Sequence, residues 1–298
     1  MSLGLQLYRF LFAGPPWVRR FQSRHAYQML SRNLASYVPR DPELRRNDPV
    51  VVASSFLNYG YQDLESSAAR LELAERQEPR RHSIQLYHHM VEGMDLTGLD
   101  VLEVGSGRGG GCLYFAESLH AKSVTGVDLS PNSIAFSRLA SALPNVSFRT
   151  GDAEALPFPD ESFDVVVNVE SSHCYGSMRQ FVAEVARVLR PGGIFSWADA
   201  RFREDVADVD AVFAASGLKL VRSADITRNV LRALDDSHDA KVKTIHEEVP
   251  ALLQPLVRSA LAVRGTLVFN AFQEGALVYL SRRFQKPEAT RKQQSRQS

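Results

Sequence analysis

A glycine-rich run follows a short apolar stretch and gives the first sign of chemistry in this chain. Residues 101–109 spell VLEVGSGRG, so an apolar strand leads through an acidic residue into Gly105, Gly107 and Gly109. Glycines in a strand-to-helix turn let a ligand approach the backbone closely, because they carry no Cβ. In open α/β sheets, ligands bind beyond the carboxyl ends of the strands, where this turn lies. The run therefore predicts a pocket for a nucleotide-like ligand.

Three acidic residues narrow the kind of nucleotide ligand. Glu103 precedes the first glycine by two residues, where a carboxylate suits an ammonium group better than a pyrophosphate. Asp128, followed by Leu129, ends the next predicted strand and can accept both ribose hydroxyls, a feature that NAD sites share. Asp152 follows the third strand and suits the exocyclic amine of adenine, with the Ala153 backbone beside the ring. The glycine pattern alone also matches a dinucleotide fingerprint, so the acids favour an adenosyl amino acid over NAD.

One histidine has the chemistry of a proton acceptor. His173 follows the fourth predicted strand by four residues. An imidazole has an ordinary pKa of about 6.5 and can take a proton from a hydroxyl at neutral pH. We predict that His173 is a catalytic base, with orientation of its loop as the alternative, because a single histidine has many structural uses. Asp199, at the end of the fifth strand, is predicted to orient His173 or bind substrate, and pairing with Arg201 is the alternative.

The elements that must position these residues alternate between strand and helix from Leu99 onward. This alternation predicts an α/β fold with a mostly parallel sheet and helices on both faces. A helix is predicted to start at Ser130 with Pro131 in its first turn, and the Pro-Gly-Gly at 191–193 ends another. The predicted strands are 101–104, 124–128, 146–149, 163–169, 194–198 and 218–221, with 275–284 as a final edge strand.

Patterning along the chain predicts one large domain with extensions. Residues 1–80 are predicted to form an N-terminal helical extension and lid, and residues 81–285 the main domain, in which 226–263 is a helical insertion or cap. Residues 286–298 are polar and basic, which predicts a disordered tail. Eight arginines against two acids lie in residues 1–46. We expect these helices to pack over the main domain, with contact to a membrane surface as the alternative.

Composition excludes several classes of protein. A net charge of +1 over 298 residues argues against a dedicated nucleic-acid binder. Two cysteines, Cys112 and Cys174, give no disulfide framework, which favours a cytoplasmic location. No apolar run approaches the ~18 residues that a membrane-spanning helix needs. No metal site is expected, because His88 and His89 lack a second pair of ligands at a recognisable spacing.

Several blocks resemble the class I S-adenosylmethionine (SAM) methyltransferases: Val101–Gly109, Gly151–Phe158, Ser162–Asn168 and Val188–Gly193. The block NVESSHCY at 168–175, with IQLYH at 84–88 and the glycines 109–111, is more specific. It resembles the mycobacterial phthiotriol/phenolphthiotriol dimycocerosate methyltransferases, which O-methylate a hydroxyl on a long lipid. The resemblance runs from about residue 56 to 284, and natural-product O-methyltransferases share the same core.

The resemblance implies a Rossmann-like, seven-stranded SAM-dependent O-methyltransferase that acts on a hydroxyl of a hydrophobic small molecule, such as a polyketide or a lipid. Asn168 and Glu170 are then expected near the cofactor. Tyr59 and Tyr61 are expected to cover its methionine end, because aromatic faces stabilise a sulfonium; core packing is the alternative. C- or N-methylation, SAM binding without transfer (as in a cyclase) and NAD-dependent oxidation are the alternative functions. Homodimerisation is left open.

Overall fold

The computed structural model describes residues 55–65 and 71–288 of the chain. Within them, seven strands form one sheet: β1 Asp100–Val104, β2 Ser123–Asp128, β3 Val146–Thr150, β4 Phe163–Val169, β5 Leu189–Phe202, β6 Lys219–Asp225 and β7 Leu277–Gln285. Their order across the sheet is β3-β2-β1-β4-β5-β7-β6. Strands β1 to β5 pair in parallel, and β7 pairs antiparallel with β5 and β6. The predicted seven-stranded, mostly parallel, Rossmann-like sheet is confirmed.

Helices connect these strands and cover both faces of the sheet. Those of the described residues are α1 Arg81–Val91, α2 Gly110–Glu117, α3 Pro131–Ala140, α4 Met178–Val188, α5 Val206–Ala214, α6 Thr227–Asp236, α7 His238–Glu248, α8 Gln254–Ala260 and α9 Leu267–Gln273. The predicted start of α3 is confirmed, because the Ser130 hydroxyl accepts the Ser133 amide at 3.3 Å. Helices α6 to α8 occupy the predicted helical insertion.

The core lies in two layers, one on each side of the sheet. One buried cluster joins the sheet to α1, α2, α3, α6 and α9, and the other joins it to α4 and α5. Strand β4 is covered on both faces, and Val165, Val166 and Val167 are all buried. A strand covered on both sides needs a continuous apolar run rather than alternation, which explains why β4 was predicted with its observed bounds.

The prediction that the last strand lies at an edge is wrong. Strand β7 is inserted between β5 and β6, and its residues from Leu277 to Arg282 are buried. The edge strand is β6, where Leu220 and Val221 are 51% and 56% exposed. Polar residues in β7 suggested an edge, but Ser281 and Arg282 are buried through contacts with neighbouring elements. Alternation in the sequence therefore did not distinguish exposure from burial with polar partners.

The fifth strand is longer than predicted, because it begins at Leu189 rather than Ile194. Helix α4 does end at Val188, just before the Pro-Gly-Gly. Residues 191–193 lie within β5. They form an irregularity, because the pairing of β5 with β4 shifts in register between Phe163 and Val165 of β4. Gly192 supplies the positive φ of +79° at this point.

The extension and the tail are described only in part. The predictions for residues 1–54, including the basic helices and their alternative contact with a membrane, lie outside the described residues. Residues 55–65 lie against α1 and α6, through the Tyr61 amide to the His82 carbonyl and the Gln62 amide to the Asn229 carbonyl. Lys286, the first residue of the predicted tail, donates to the Leu189 carbonyl at 2.7 Å. The described helices include none with the length and apolarity needed to cross a membrane.

Candidate active site

The parallel strands bring four predicted acids to one edge of the sheet. Glu103, Asp128, Glu170 and Asp199 lie at or just beyond the carboxyl-terminal parts of β1, β2, β4 and β5, which are neighbours in the sheet. The loops after parallel strands converge at this edge, where ligands bind in open α/β sheets. Residues far apart in sequence are therefore assembled into one site by the order of the strands.

The glycine turn between β1 and α2 is held against the end of β2. The amides of Gly105 and Ser106 donate to the Val127 carbonyl at 2.8 and 3.0 Å. Gly105, Gly107 and Gly109 have φ of +71°, +54° and +83°, which residues with a Cβ rarely adopt. The turn therefore depends on glycine for its conformation as well as for close approach.

Asp128 faces this turn from the end of β2. Its Oδ2 accepts the Gly107 amide at 2.9 Å and its Oδ1 accepts the Ser130 amide at 2.8 Å. Burial raises the pKa of Asp128 to about 6, although both amides act in the opposite direction. No lysine or arginine of the described part of the chain forms an ion pair with it. A buried carboxylate of this kind is suited to accept hydroxyl groups from a ligand.

Glu103 lies deeper than its predicted role suggests. Its carboxylate is fully buried and accepts the Tyr87 hydroxyl at 2.7 Å and the Cys112 thiol at 3.0 Å. Burial raises its pKa to about 7. A Cβ on Gly111 would lie 2.8 Å from Glu103 Oε1, so the acid sits directly below the first turn of α2. Its contact with an ammonium group stays a prediction.

The predicted adenine side is formed by the loops after β2 and β3. Asp152 is half-buried and its Oδ1 accepts the Glu154 amide at 2.9 Å, which is the geometry of a loop acid in a turn. Ala153 is buried beside it, and Leu129 is half-buried beyond β2. Because Asp128 pairs with Thr150 across the sheet, these loops are neighbours. Their contact with an adenine ring stays a prediction.

Asn168 ties the end of β4 to β1. It is fully buried, and its Nδ2 lies 2.8 Å from the Val104 carbonyl, 2.7 Å from Ser171 Oγ and 3.0 Å from the Tyr175 hydroxyl. Its Oδ1 has no hydrogen-bond partner among the described residues. A buried carbonyl oxygen without a donor is costly, so this oxygen is suited to accept a donor from a ligand, and its contact with the cofactor stays a prediction.

Glu170 joins the N-terminal segment to the site. Its Oε1 accepts the Tyr59 amide at 2.7 Å and the Tyr279 hydroxyl at 2.8 Å. Burial raises the pKa of Glu170 to about 7. The residue also has a φ of +46°. A non-glycine residue held there is strained, and such strain concentrates at functional sites.

His173 and Asp199 form a hydrogen-bonded pair. Nδ1 of His173 lies 2.7 Å from Oδ1 of Asp199, and the His173 amide donates to Oδ2 at 2.9 Å. Asp199 is fully buried and also pairs with Arg201 at 2.9 Å. Burial lowers the pKa of His173, but the Cys174 sulfur and the Asp199 carboxylate outweigh it and hold that pKa well above its ordinary value. Both partners predicted for Asp199 are therefore present.

A cavity of about 280 Å³ opens in front of this pair. The His173 side chain is 30% exposed and forms part of the wall together with Tyr59, Glu170 and Arg201. The remaining wall combines apolar side chains with three further polar residues, Ser172, Asp205 and Asp208. Its apolar part comes mainly from α4, α5, α9 and β7: Met178, Val209, Val212, Val268, Phe272 and Leu277. With Nδ1 held by Asp199, Nε2 is the ring nitrogen left for a molecule in the cavity.

The tyrosines of residues 59–61 divide between two environments. Tyr59 lines the cavity and meets Phe272 edge to face at 5.8 Å, and its contact with the methionine end of SAM stays a prediction. Tyr61 stacks on His89 at 4.6 Å and takes part in packing instead. Sequence reasoning missed Tyr279 and Tyr87 as partners of the buried acids. Their local patterns are those of ordinary core residues, and no local signal marks them.

Comparison with known proteins identifies the family. A family model described as a methyltransferase domain matches residues 102–197. A phthiotriol/phenolphthiotriol dimycocerosates methyltransferase of Mycobacterium tuberculosis is 39% identical over 256 residues, which cover 86% of this chain and 88% of that protein. The chain belongs to the SAM-dependent methyltransferases. A fatty-acid O-methyltransferase of Mycolicibacterium smegmatis is 41% identical over 213 residues, covering 72% of this chain and 76% of that protein.

Solved structures share the fold of this methyltransferase. The cyclase SpnF aligns with a TM-score of 0.64 and 20% identity, covering 90% of this chain and 97% of its own. A geranyl diphosphate C-methyltransferase from Streptomyces coelicolor A3(2) aligns with a TM-score of 0.59 and 14% identity, covering 85% and 98%. Family membership makes the enzyme a methyltransferase with SAM as its cofactor and replaces the NAD-dependent alternative.

The edge of the sheet fits this cofactor. Among the described residues, Glu103, Asp128 and Glu170 are carboxylates in buried surroundings that no lysine or arginine pairs with. SAM carries an ammonium and a sulfonium, which can supply the cationic partner that these carboxylates lack, and two ribose hydroxyls that can donate to a carboxylate. The unpartnered oxygen of Asn168 lies beside the same glycine turn.

Proposed function

We propose that this methyltransferase transfers a methyl group to a hydroxyl oxygen of a hydrophobic small molecule, a lipid or a polyketide. One observation carries the proposal: the imidazole of His173, fixed by the buried carboxylate of Asp199, faces a cavity with a broad apolar wall from α4, α5, α9 and β7. The cavity wall suits an alkyl or aromatic acceptor, and the names of the relatives, which refer to dimycocerosates and fatty acids, support a lipid.

In this proposal the cofactor lies across the carboxyl-terminal ends of β1, β2 and β4. Asp128 accepts the ribose hydroxyls, and Asp152 accepts the adenine amine, with Ala153 and Leu129 beside the ring. The methionine part of the cofactor is contacted by a second set of residues: the glycines of the turn, Glu103, Asn168, Glu170 and Tyr59. The orphaned oxygen of Asn168 and the raised pKa values of the three buried acids support this arrangement.

When bound, SAM supplies an electrophilic methyl group on a positively charged sulfur. The main contribution of the protein is then to hold the acceptor oxygen in position. Nε2 of His173 would accept the hydroxyl proton as the carbon–oxygen bond forms and the methyl–sulfur bond breaks, with a neutral thioether as the leaving group, and Asp199 would stabilise the resulting imidazolium. General-base catalysis of this kind contributes about 10²–10⁴-fold.

The same geometry favours a second acceptor, a carboxylate. The Cys174 sulfur and the Asp199 carboxylate hold the pKa of His173 well above its ordinary value, which favours the protonated ring. An imidazolium attracts an anion, against which Glu170, Asp205 and Asp208 in the same cavity act, and a carboxylate attacks without losing a proton first. The relative named as a fatty-acid O-methyltransferase is consistent with this candidate.

The pH dependence of kcat/KM distinguishes the two acceptors. For a hydroxyl acceptor His173 must be neutral, so we expect the rate to rise as the pH rises through its elevated pKa. For a carboxylate acceptor His173 must be charged, so we expect the rate to fall over the same range. Matched pairs of long-chain alcohols and fatty acids, assayed with labelled methyl groups, give both profiles. Flat profiles for both classes would contradict a role for His173 in either reaction.

Replacing the imidazole tests the proposed function directly. We expect His173→Ala to lower kcat about 10²–10⁴-fold while the Kd for SAM, measured by calorimetry, stays within about twofold. His120→Asn, at an exposed residue with a φ of +52°, is the matched control and retains wild-type turnover. Wild-type turnover by His173→Ala with the true acceptor removes His173 from the mechanism. Product analysis separates oxygen from carbon and nitrogen methylation, and a cyclase yields no labelled product.

A further inference from the structure

Ser172 lies at the centre of a buried hydrogen-bond network behind His173. Its hydroxyl donates to Oδ2 of Asp199 at 2.7 Å. It accepts from Nε1 of Trp197 at 2.8 Å and from Nη2 of Arg201 at 2.6 Å. A serine hydroxyl has one hydrogen to donate and two lone pairs to accept, so every position is used. This residue was not singled out from the sequence.

Arg201 supports the same carboxylate from a second direction. Its Nη1 lies 2.9 Å from Oδ2 of Asp199 and donates to the Ala200 carbonyl at 2.8 Å. Its guanidinium carbon stands 5.1 Å from the centre of the Trp197 ring. Three kinds of contact therefore hold the buried guanidinium of Arg201 in place. Although burial alone would raise the pKa of Asp199, this cation and His173 hold that pKa far below its usual range, so the carboxylate stays ionised.

The two oxygens of Asp199 have different partners. Oδ2 takes the Ser172 hydroxyl, the His173 amide and the Arg201 guanidinium. Oδ1 takes the Ala200 amide at 2.8 Å and Nδ1 of the His173 ring at 2.7 Å. Because Oδ2 is held on three sides, the carboxylate cannot rotate without breaking several charge-assisted bonds. The orientation of the imidazole follows from that of Oδ1.

We infer that Ser172 and Arg201 are positioning residues, which hold Oδ2 of Asp199 so that Oδ1 fixes the ring of His173. The inference rests on the proposed role of His173 in proton transfer. The other titratable groups that face His173 are Glu170 and Cys174. Neither bonds to Ser172, so a change at Ser172 reaches the imidazole through Asp199.

An NMR titration of protein labelled at its histidine side chains tests this role without any acceptor. The Ser172 hydroxyl withdraws charge from Asp199, so we expect Ser172→Ala to raise the pKa of His173 by about half a unit or more. The His173 signal is assigned from its absence in His173→Gln. Ser172→Thr retains the hydroxyl and is expected to restore the wild-type pKa. With an acceptor that the wild type methylates, kcat of Ser172→Ala falls about tenfold or more.

Ser196→Ala is the matched control, because Ser196 is a fully buried serine of the same strand as Asp199. Its side chain lies on the opposite face of the sheet, since successive residues of a strand alternate, and its hydroxyl has no partner among the described residues. We expect this variant to leave the pKa of His173 unchanged. A shift equal to that of Ser172→Ala would mean a general effect of strand packing and would overturn the proposal.

An unchanged pKa of His173 in folded Ser172→Ala also overturns the proposal. If that variant does not fold, Ser172→Cys replaces the hydroxyl with a much weaker donor and is expected to raise the pKa of His173 by a smaller amount, so an unchanged pKa there also overturns the proposal. The titration is independent of methyl transfer. Failure of the positioning role therefore appears as an unmoved titration, whereas failure of the proposed function appears as an absence of methylated product from the wild type.

Discussion

At the scale of single residues, the site consists of carboxylates that burial makes hard to ionise. Asp128, Glu103 and Glu170 have pKa values raised to about 6, 7 and 7. Asp199, buried just as deeply, shows the opposite shift because it pairs with Arg201 and His173. Partners rather than burial alone therefore decide the charge of each acid. The unpaired acids are free to serve a ligand, and the paired one serves the protein.

Asp128→Asn is expected to weaken SAM binding by about 10- to 100-fold, which corresponds to the loss of hydrogen bonds to a charged group. The amide retains one oxygen, so the Gly107 or Ser130 amide can keep its acceptor and the fold survives. Calorimetric titration with SAM measures the effect. Asp152→Asn, measured alongside, tests the adenine side separately. An unchanged Kd for Asp128→Asn would contradict the assignment of the ribose hydroxyls.

At the scale of elements, the glycine turn and the loop after β4 are built against each other. A Cβ on Gly105 would lie 2.3 Å from Ser171 Oγ and 2.8 Å from the Tyr175 hydroxyl. The turn and the loop therefore cannot move independently. Residues 55–61 close the arrangement from above, because the Ser55 carbonyl accepts the Gly110 amide and the Tyr59 amide donates to Glu170.

Gly105→Ala and Gly98→Ala form a matched pair for this close contact. Both glycines have positive φ, +71° and +80°, but a Cβ on Gly98 meets no heavy atom within 4 Å. Gly98→Ala should therefore cost only the backbone strain, about 1–2 kcal/mol of unfolding free energy. Gly105→Ala should cost more, because Ser171 must move, and SAM binding should weaken with it. Equal losses in urea unfolding would show that the contact does not matter.

At the scale of the whole molecule, parallel strands gather several negative charges at one edge while the net charge of the chain is only +1. The acids of β1, β2 and β4 converge there because these strands are neighbours that point the same way. At the opposite ends of the strands, acids are paired with a cation, as Arg190 is with Asp100 and Asp164. The fold thus places unpaired acids where we propose that the cationic cofactor binds.

Binding of SAM is expected to release protons. Carboxyls whose pKa is raised hold protons in the free protein between about pH 5 and pH 7, and a cation beside them favours the ionised form. Calorimetry in buffers of different ionisation enthalpy measures the number released. The release should diminish above about pH 8, where these groups are already ionised, and it should be smaller in Glu170→Gln. Proton uptake at pH 6 would contradict the placement of the cofactor beside these acids.

The sequence by itself determined the alternation of strands and helices, the bounds of β4, the start of α3 and the acids near the strand ends. These depend on local causes: a continuous apolar run at β4, a serine cap at α3 and glycines where the turn needs positive φ. The placement of His173 close to Asp199 also followed, since both extend from adjacent parallel strands. Family resemblance added the cofactor through motifs that are local as well.

Only the tertiary structure decided which side chains meet. Tyr279 reaches Glu170 across 109 residues because β7 is inserted antiparallel beside β5, a position that its own pattern did not predict. Ser172 gains its role from Trp197 and Arg201, which face it from one side of β5. Such contacts depend on the order and direction of strands, which are fixed by the packing of the whole core and leave no periodic signal in any single segment.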